Sequence, residues 1–141
     1  MKYTIYLGAT KKLMSEAELA DMLILNQQNN RNSNITGMMI YTEGTFMQVL
    51  EGNEDDVRMA CRKIEQDVTT KNVIKLAEDT ITKPNFRNWS MAFLASNLAM
   101  VQRLEGYINP TSKHFLNTDS THAAVVMLKS FAKSNRISYT L

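Results

Sequence analysis

The chain has 141 residues, which is enough for one domain with its own hydrophobic core. Hydrophobic residues make up 44% and charged residues 21%, a balance typical of globular proteins and not of disordered or fibrous ones. The formal net charge of +2 comes from Lys and Arg residues scattered along the chain, which argues against a nucleic-acid or membrane partner. Because no apolar signal region follows Met1, a cytoplasmic location is expected.

The residues that could carry metal or catalytic chemistry are few. The single cysteine, Cys61, cannot form an internal disulfide, and its helical surroundings favour a packing role over a reactive thiol. His114 and His122 have no Cys or carboxylate pattern around them, so no metal site is expected. The sequence contains no Gly-rich phosphate loop and no Ser/His/Asp set, and the chain is therefore expected not to be an enzyme.

The first third of the chain predicts a strand, a helix and a loop. Residues 2–8 are rich in β-branched and aromatic side chains and predict a strand in which Tyr6 points away from the aliphatic face. A capping box that starts at Ser15 predicts a helix over about 15–28. The asparagine-rich stretch 29–34 predicts a loop, because asparagine favours helix ends and turns.

The middle of the chain predicts a hairpin, a second helix and two more strands. Two apolar runs, 35–41 and 45–50, are separated by a short turn that contains a glycine. An acidic first turn and helical spacing predict a helix over 54–67. Residues 73–82 predict a fourth strand, and the alternating residues 89–93 predict a fifth.

This order of elements is the ferredoxin-like pattern with one strand added. We therefore predict an α+β domain over residues 1–95, with a ferredoxin-like five-stranded mixed sheet and two helices on one face. Residues 96–141 predict a C-terminal helical extension, with short helices near 98–107 and 123–133 that pack on the domain or on a partner. Apolar residues in these helices and the ten methionines of the chain favour a homo-oligomer.

Polar residues in apolar surroundings are the candidates for a binding site. Gln48 shares a strand face with Phe46 and Leu50, and a buried amide without a partner costs about 1–3 kcal/mol. Its partner is either backbone or water at a strand edge, or a polar ligand. Tyr6 alone is typical of a strand residue with its hydroxyl in water. The amides of 29–34 are typical of a helix cap and turn, yet they could also bind the polar edge of a flat heterocycle.

Four blocks of the sequence resemble the signature blocks of BLUF domains, the blue-light sensors that use FAD. They occur in the family's order and at its spacing, and together they cover about residues 1–95. The blocks are Tyr6, the run from Asn29-Asn30 to Asn34-Ile35-Thr36-Gly37, the segment Phe46-Met47-Gln48-Val49-Leu50-Glu51-Gly52, and Asn88-Trp89-Ser90-Met91.

The resemblance implies a flavin held without a covalent bond between two helices that pack on the sheet. The flavin would be FAD, with FMN and riboflavin as alternatives. Tyr6 matches the residue that donates an electron and a proton, and Gln48 matches the residue between that tyrosine and the flavin. Asn30 matches a residue that binds the polar edge of the ring, with Asn29 nearby. Lys63 aligns with an arginine that contacts the flavin in some relatives.

The resemblance also implies a route for the signal. Trp89 and Met91 match a pair on the last strand that responds to light and passes the signal on. The expected function is therefore a blue-light photoreceptor whose Tyr/Gln switch acts through the last strand on the C-terminal helices and on a downstream protein partner. The alternative is a non-photoactive ferredoxin-like interaction module. One departure is Gly8, where the family usually has a serine.

Overall fold

The computed structural model describes residues 1–86, 92–95 and 122–135. Within these ranges the secondary structure follows the order β-α-β-β-α-β-β-α. The elements are β1 (Lys2–Thr10), α1 (Glu16–Asn32), β2 (Thr36–Thr42), β3 (Thr45–Gly52), α2 (Glu54–Glu65), β4 (Thr70–Thr80), β5 (Ala92–Ala95) and α3 (Ala123–Ser134). No helix in the described part of the chain is long and apolar enough to cross a membrane.

The strands form one sheet in the order β4-β1-β3-β2-β5. The first four of these strands pair antiparallel, and β5 pairs parallel with β2. The predicted α+β class is confirmed, because helices pack on a sheet in which the four strands β1 to β4 are antiparallel. At Gly37 the backbones of β2 and β3 come so close that a Cβ atom would lie 2.0 Å from the carbonyl oxygen of Val49. Only glycine fits at this position.

The two faces of the sheet carry different layers of helices. Helices α1 and α2 lie on the face that contains Tyr6, Met39 and Phe46, which we call the α1/α2 face. Helix α3 lies on the opposite face, against Ile5 and Val49, which we call the α3 face. Because side chains alternate along a strand, the sequence of β1 and β3 assigns each residue to one face.

Helix α1 is longer than predicted. The sequence predicts a helix that ends near residue 28 and a loop over 29–34, but α1 continues through Asn32. The loop prediction is therefore wrong for 29–32. Asparagine lowers helix stability by less than about 1 kcal/mol per residue, whereas Gln27 and Asn30 are buried on this part of the helix. Ser33 is the C-cap of the helix, and Asn34, whose φ of 57° lies in the left-handed region, follows it.

The other predicted elements agree with the structure within a few residues, apart from those that fall outside its described ranges. The capping box is present, since the Ser15 side chain accepts from the Glu18 backbone and the Glu18 side chain accepts from Ser15. The predicted fifth strand and the predicted helix at 98–107 include residues outside the described ranges. The domain boundary at residue 95 stays a prediction.

Candidate functional site

A cavity of about 410 Å³ lies between α1, the end of α2 and the α1/α2 face of the sheet. Its volume is within the range of sites that bind small organic molecules. Both helices and the sheet contribute apolar side chains to its wall, namely Met22, Leu25, Met39, Phe46 and Ile64. Such walls suit the flat faces of an aromatic ring, and polar groups of the same lining are left to fix its orientation.

Gln48 is one of these polar groups. It lies in the middle of β3, where alternation puts it on the α1/α2 face, and it lines the cavity. The residue is only 5% exposed, and no hydrogen bond joins its amide to another residue in the described ranges. A buried amide needs partners for its donor and acceptor atoms. Because Gln48 lines the cavity, a molecule bound there can supply these partners.

Tyr41 is a second polar residue of the cavity, and sequence reasoning missed it. The residue lines the cavity from β2 and is 4% exposed. Its hydroxyl is buried and has no hydrogen-bond partner among the described residues. An unpaired buried hydroxyl costs about 1–3 kcal/mol. The alternation of β2 could have indicated Tyr41, because it falls on the same face as Met39, which lies beside Gln48.

Tyr6 lies directly beside Gln48 in the sheet, as the pairing of β1 with β3 requires. It is 1% exposed and is not part of the cavity wall. Its hydroxyl donates a hydrogen bond of 2.7 Å to Oε1 of Glu65, near the end of α2. Burial raises the pKa of Tyr6 far above its usual range, and the neighbouring Cys61 and Glu65 side chains raise it further. The phenol is therefore protonated at neutral pH.

The other residues predicted to contact the ligand are not in the cavity wall. Asn30 is buried in α1, whereas Asn29 and Lys63 are exposed, and none of the three lines the cavity. Asn26, one turn earlier in α1, does line it. The structure thus brings Tyr6 and Gln48 together, but it does not bring Asn29, Asn30 or Lys63 to the cavity wall. Their roles stay predictions.

Trp89 and Met91, the predicted signal relay, lie outside the described residues. The nearest described segment is β5, which pairs with Met38 to Tyr41 of β2. Two residues of that part of β2, Met39 and Tyr41, line the cavity. The segment that follows the predicted relay is therefore hydrogen-bonded to a strand of the cavity wall.

The packing around Gly8 leaves little room for the serine that the family usually has at this position. A Cβ atom at this position would lie 2.8 Å from Cζ of Phe46 and 3.0 Å from Cγ2 of Val73. Phe46 also lines the cavity. The Phe46 ring therefore occupies the space that a side chain at position 8 would need, and a serine there would require the ring to shift.

The charged groups of the cavity wall are mostly negative. Three carboxylates, from Glu18, Asp21 and Asp67, and one amine, from Lys12, line it. The amine already pairs with Glu18, at 3.0 Å between Nζ and Oε2. A neutral ring is compatible with this charge, and the phosphate groups of a flavin nucleotide would be more stable away from these carboxylates. In the ranges that the structure describes, no group of three or more His, Cys, Asp or Glu side chains could hold a metal ion.

Comparisons with known proteins agree on one family. The family model described as "BLUF: Sensors of blue-light using FAD" matches residues 1–92. The chain is 36% identical over 69 residues to photoactivated adenylate cyclase subunit alpha of Euglena gracilis, which covers 49% of this chain and 7% of that protein. It is 32% identical over 62 residues to the blue light- and temperature-regulated antirepressor BluF of Escherichia coli (strain K12), which covers 44% of this chain and 15% of that protein.

Solved structures give the same fold. The structure titled "BlsA ground state" matches with a TM-score of 0.66 and 22% sequence identity, over 99% of this chain and 90% of that one. The curated relatives are much longer, since the chain spans only 7% and 15% of the two named above. The family match covers β1 to β4 and every residue of the cavity wall. The chain therefore belongs to the BLUF family of flavin-binding blue-light sensors.

Proposed function

We propose that this chain is a blue-light photoreceptor that binds FAD without a covalent bond in the cavity on the α1/α2 face. The observation that carries the proposal is Gln48, a buried amide that lines the cavity beside Tyr6. In an ordinary core this amide would be paired with protein groups. Here it is available to a ligand that has both donor and acceptor atoms.

The residues of the cavity suit a flavin ring. Met22, Met39 and Phe46 offer apolar surface for the faces of the ring. The Gln48 amide, the Tyr41 hydroxyl and the Asn26 amide offer donors and acceptors for its polar edge. We assign further contacts to Asn29, Asn30 and Lys63 on the basis of the family motif alone. When bound, the flavin supplies the absorption of blue light and accepts an electron.

The proposed switch uses two side chains of the chain itself. Tyr6 gives up an electron and its hydroxyl proton after illumination and recovers both. Gln48 reorients or changes its tautomer, so that its donor and acceptor atoms exchange places. The new hydrogen bond is worth about 0.5–1.5 kcal/mol, which is enough to shift an element whose two arrangements differ by a few kcal/mol.

The proposed relay runs through the last strand to the C-terminal residues 96–141. Its supporting observation is the pairing of β5 with β2, because β2 carries two residues of the cavity wall. We place Trp89 and Met91 on this route and expect a homo-oligomer with a downstream protein partner. Output would then be a change in the surface that the C-terminal helices present. That the chain has no enzymatic activity of its own stays a prediction.

The test is the absorption spectrum of the purified protein, in the dark and after blue light. We expect bound flavin and a reversible red shift. Gln48→Leu and Tyr6→Phe should each abolish the shift and leave the flavin in place. Matched controls are Gln28→Leu, at an exposed position of α1, and Tyr3→Phe, on the α3 face. Both should keep the shift.

Two results would contradict the proposal. Colourless protein that takes up no added FAD would rule out flavin binding and favour the interaction module. A full, stable shift in either Gln48→Leu or Tyr6→Phe would mean that the switch does not use that side chain.

A further inference from the structure

The Tyr6 hydroxyl is directed to a carboxylate and not to Gln48. Its one proton lies in the 2.7 Å hydrogen bond to Oε1 of Glu65, which follows Tyr6 by 59 residues in the chain. A phenol has a single donor hydrogen. While this bond is present, the Tyr6 hydroxyl can accept from the Gln48 amide but cannot donate to it.

The surroundings of this pair are strongly polarised. Tyr6 is 1% exposed, whereas the Glu65 side chain is 49% exposed, so the hydrogen bond runs from the core to the surface. Lys75 flanks both residues, with its Nζ 3.9 Å from Oε1 of Glu65 and 5.9 Å from the centre of the Tyr6 ring. Lys75 also pairs with Glu78 at 2.7 Å. Lys75 and Glu78 belong to the edge strand β4, which pairs with β1 on the side opposite β3 and Gln48.

The heavy-atom distance between Tyr6 and Glu65 is that of a proton donor and its general base. A neutral phenol keeps its proton here, because burial and the neighbouring carboxylate raise its pKa. After loss of an electron the phenol no longer keeps its proton, because the oxidised phenol carries a positive charge and becomes neutral when the proton leaves. A carboxylate already in hydrogen-bond contact can accept that proton without a rearrangement of side chains.

We propose that Glu65 is the proton acceptor of Tyr6 in the light reaction of this chain. Tyr6 gives an electron to the light-excited flavin, its O–H bond breaks, and the proton moves to Oε1 of Glu65. Tyr6 is then a neutral tyrosyl radical and Glu65 a neutral carboxylic acid, and both revert when the electron returns. The inference rests on the proposed function, since only a bound flavin supplies the oxidant.

On this route the electron and the proton leave Tyr6 in different directions, so the Gln48 amide does not have to lie on the path of both. The electron leaves Tyr6 toward the cavity, and the proton leaves toward the surface. On this route Gln48 does not carry the proton, so its part in the proposed switch is reorientation and not a change of tautomer. Cys61, the other group that raises the pKa of Tyr6, is a weak acceptor and gives a poorer route.

The first measurement concerns the hydrogen bond itself and needs no light. Protein with ¹³C at the tyrosine ζ-carbon is examined by NMR, as purified and after removal of flavin, and Tyr6→Phe assigns the Tyr6 signal. Glu65→Gln should move this signal, because an amide oxygen is a weaker acceptor than a carboxylate. The control Glu54→Gln, at the exposed start of the same helix, should leave it unchanged. An unmoved signal in Glu65→Gln would overturn the proposal.

The second measurement concerns the light step. In Glu65→Gln we expect flavin to stay bound, Tyr6 oxidation to slow about tenfold or more, and the solvent deuterium isotope effect on that step to change. Glu65→Asp keeps the carboxylate and should restore part of the rate. An unchanged rate and isotope effect in Glu65→Gln would assign the proton to Gln48. Wild-type protein without flavin or without a light response would instead refute the proposed function, while the NMR result would still report on the hydrogen bond.

Discussion

The two faces of the sheet are filled in different ways. On the α3 face, apolar side chains such as Ile5, Met38 and Val49 meet Leu128 of α3, and each of these four residues is fully buried. On the α1/α2 face, the strands present Tyr6, Tyr41 and Gln48, and a cavity remains between the helices. Both faces belong to the same sheet, so the difference comes from the alternate residues of each strand.

We infer from this difference that the α3 face contributes mainly to stability and the α1/α2 face mainly to ligand binding. Apolar burial contributes about 25 cal/mol per Å² and is greatest where no space is left. Polar groups without partners lower stability in the absence of a ligand, and they are available to a ligand that satisfies them. We therefore expect substitutions on the α3 face to change mainly the free energy of unfolding, and those on the α1/α2 face to change mainly binding and light response.

The largest effect on stability is expected for Leu128→Ala, on the α3 face. Leu128 is 0% exposed, and truncating such a leucine lowers the free energy of unfolding by about 2–5 kcal/mol. Urea unfolding of flavin-free protein measures the change. The control is Val126→Ala in the same helix, since Val126 is 48% exposed and should cost about 0.5 kcal/mol or less. Equal losses in the two variants would mean that α3 does not close this face.

The next effect is expected for Glu51→Gln, also on the α3 face. Glu51 is 0% exposed, and its carboxylate accepts from the backbone N–H groups of Asn85 and Phe86 and from the Asn85 side chain. An amide accepts through one oxygen only and leaves a buried N–H unpaired. We expect a loss of about 2–3 kcal/mol on urea unfolding. Glu54→Gln, at an exposed site, should be close to neutral, and the prediction is wrong if both variants lose the same stability.

A smaller effect of opposite sign is expected for Tyr41→Phe on the α1/α2 face. Its hydroxyl has no hydrogen-bond partner among the described residues, so removing it should raise the stability of flavin-free protein by up to about 1 kcal/mol and weaken flavin binding by about two- to tenfold. Quenching of flavin fluorescence measures the affinity. Tyr3→Phe, on the α3 face, should leave affinity unchanged. Unaltered affinity in Tyr41→Phe would place its hydroxyl outside the ligand contacts.

The smallest effect concerns the phosphate groups of the ligand. Because the charged groups of the cavity wall are mostly carboxylates, salt should strengthen the binding of FMN and FAD relative to riboflavin, by about two- to threefold between low and high salt. Asp21→Asn should act in the same direction at low salt, whereas Asp55→Asn, at the start of α2, should not. Weaker binding of FMN and FAD in high salt would show that cations dominate the mouth of the cavity.

Several features of the molecule could be predicted from local sequence pattern. Alternation in β1 put Tyr6 on the face opposite Ile5, alternation in β3 put Gln48 on one face with Phe46, and the capping box at Ser15 marked the start of α1. These features follow from the geometry of single elements, in which each side chain's direction is fixed by its position. The spacing of the signature blocks was equally readable, and it gave the family before any contact was known.

Other features depend on how the elements pack and could be seen only in the folded chain. The turn preference of asparagine is a weak local effect, and packing overrode it by extending α1 through Asn32. The partner of Tyr6 is Glu65, 59 residues away, and no local pattern connects two residues that meet only when α2 packs on the sheet. The sequence also did not show that the Tyr41 hydroxyl lacks a partner among the described residues, because the presence of a partner depends on all the groups that pack around it.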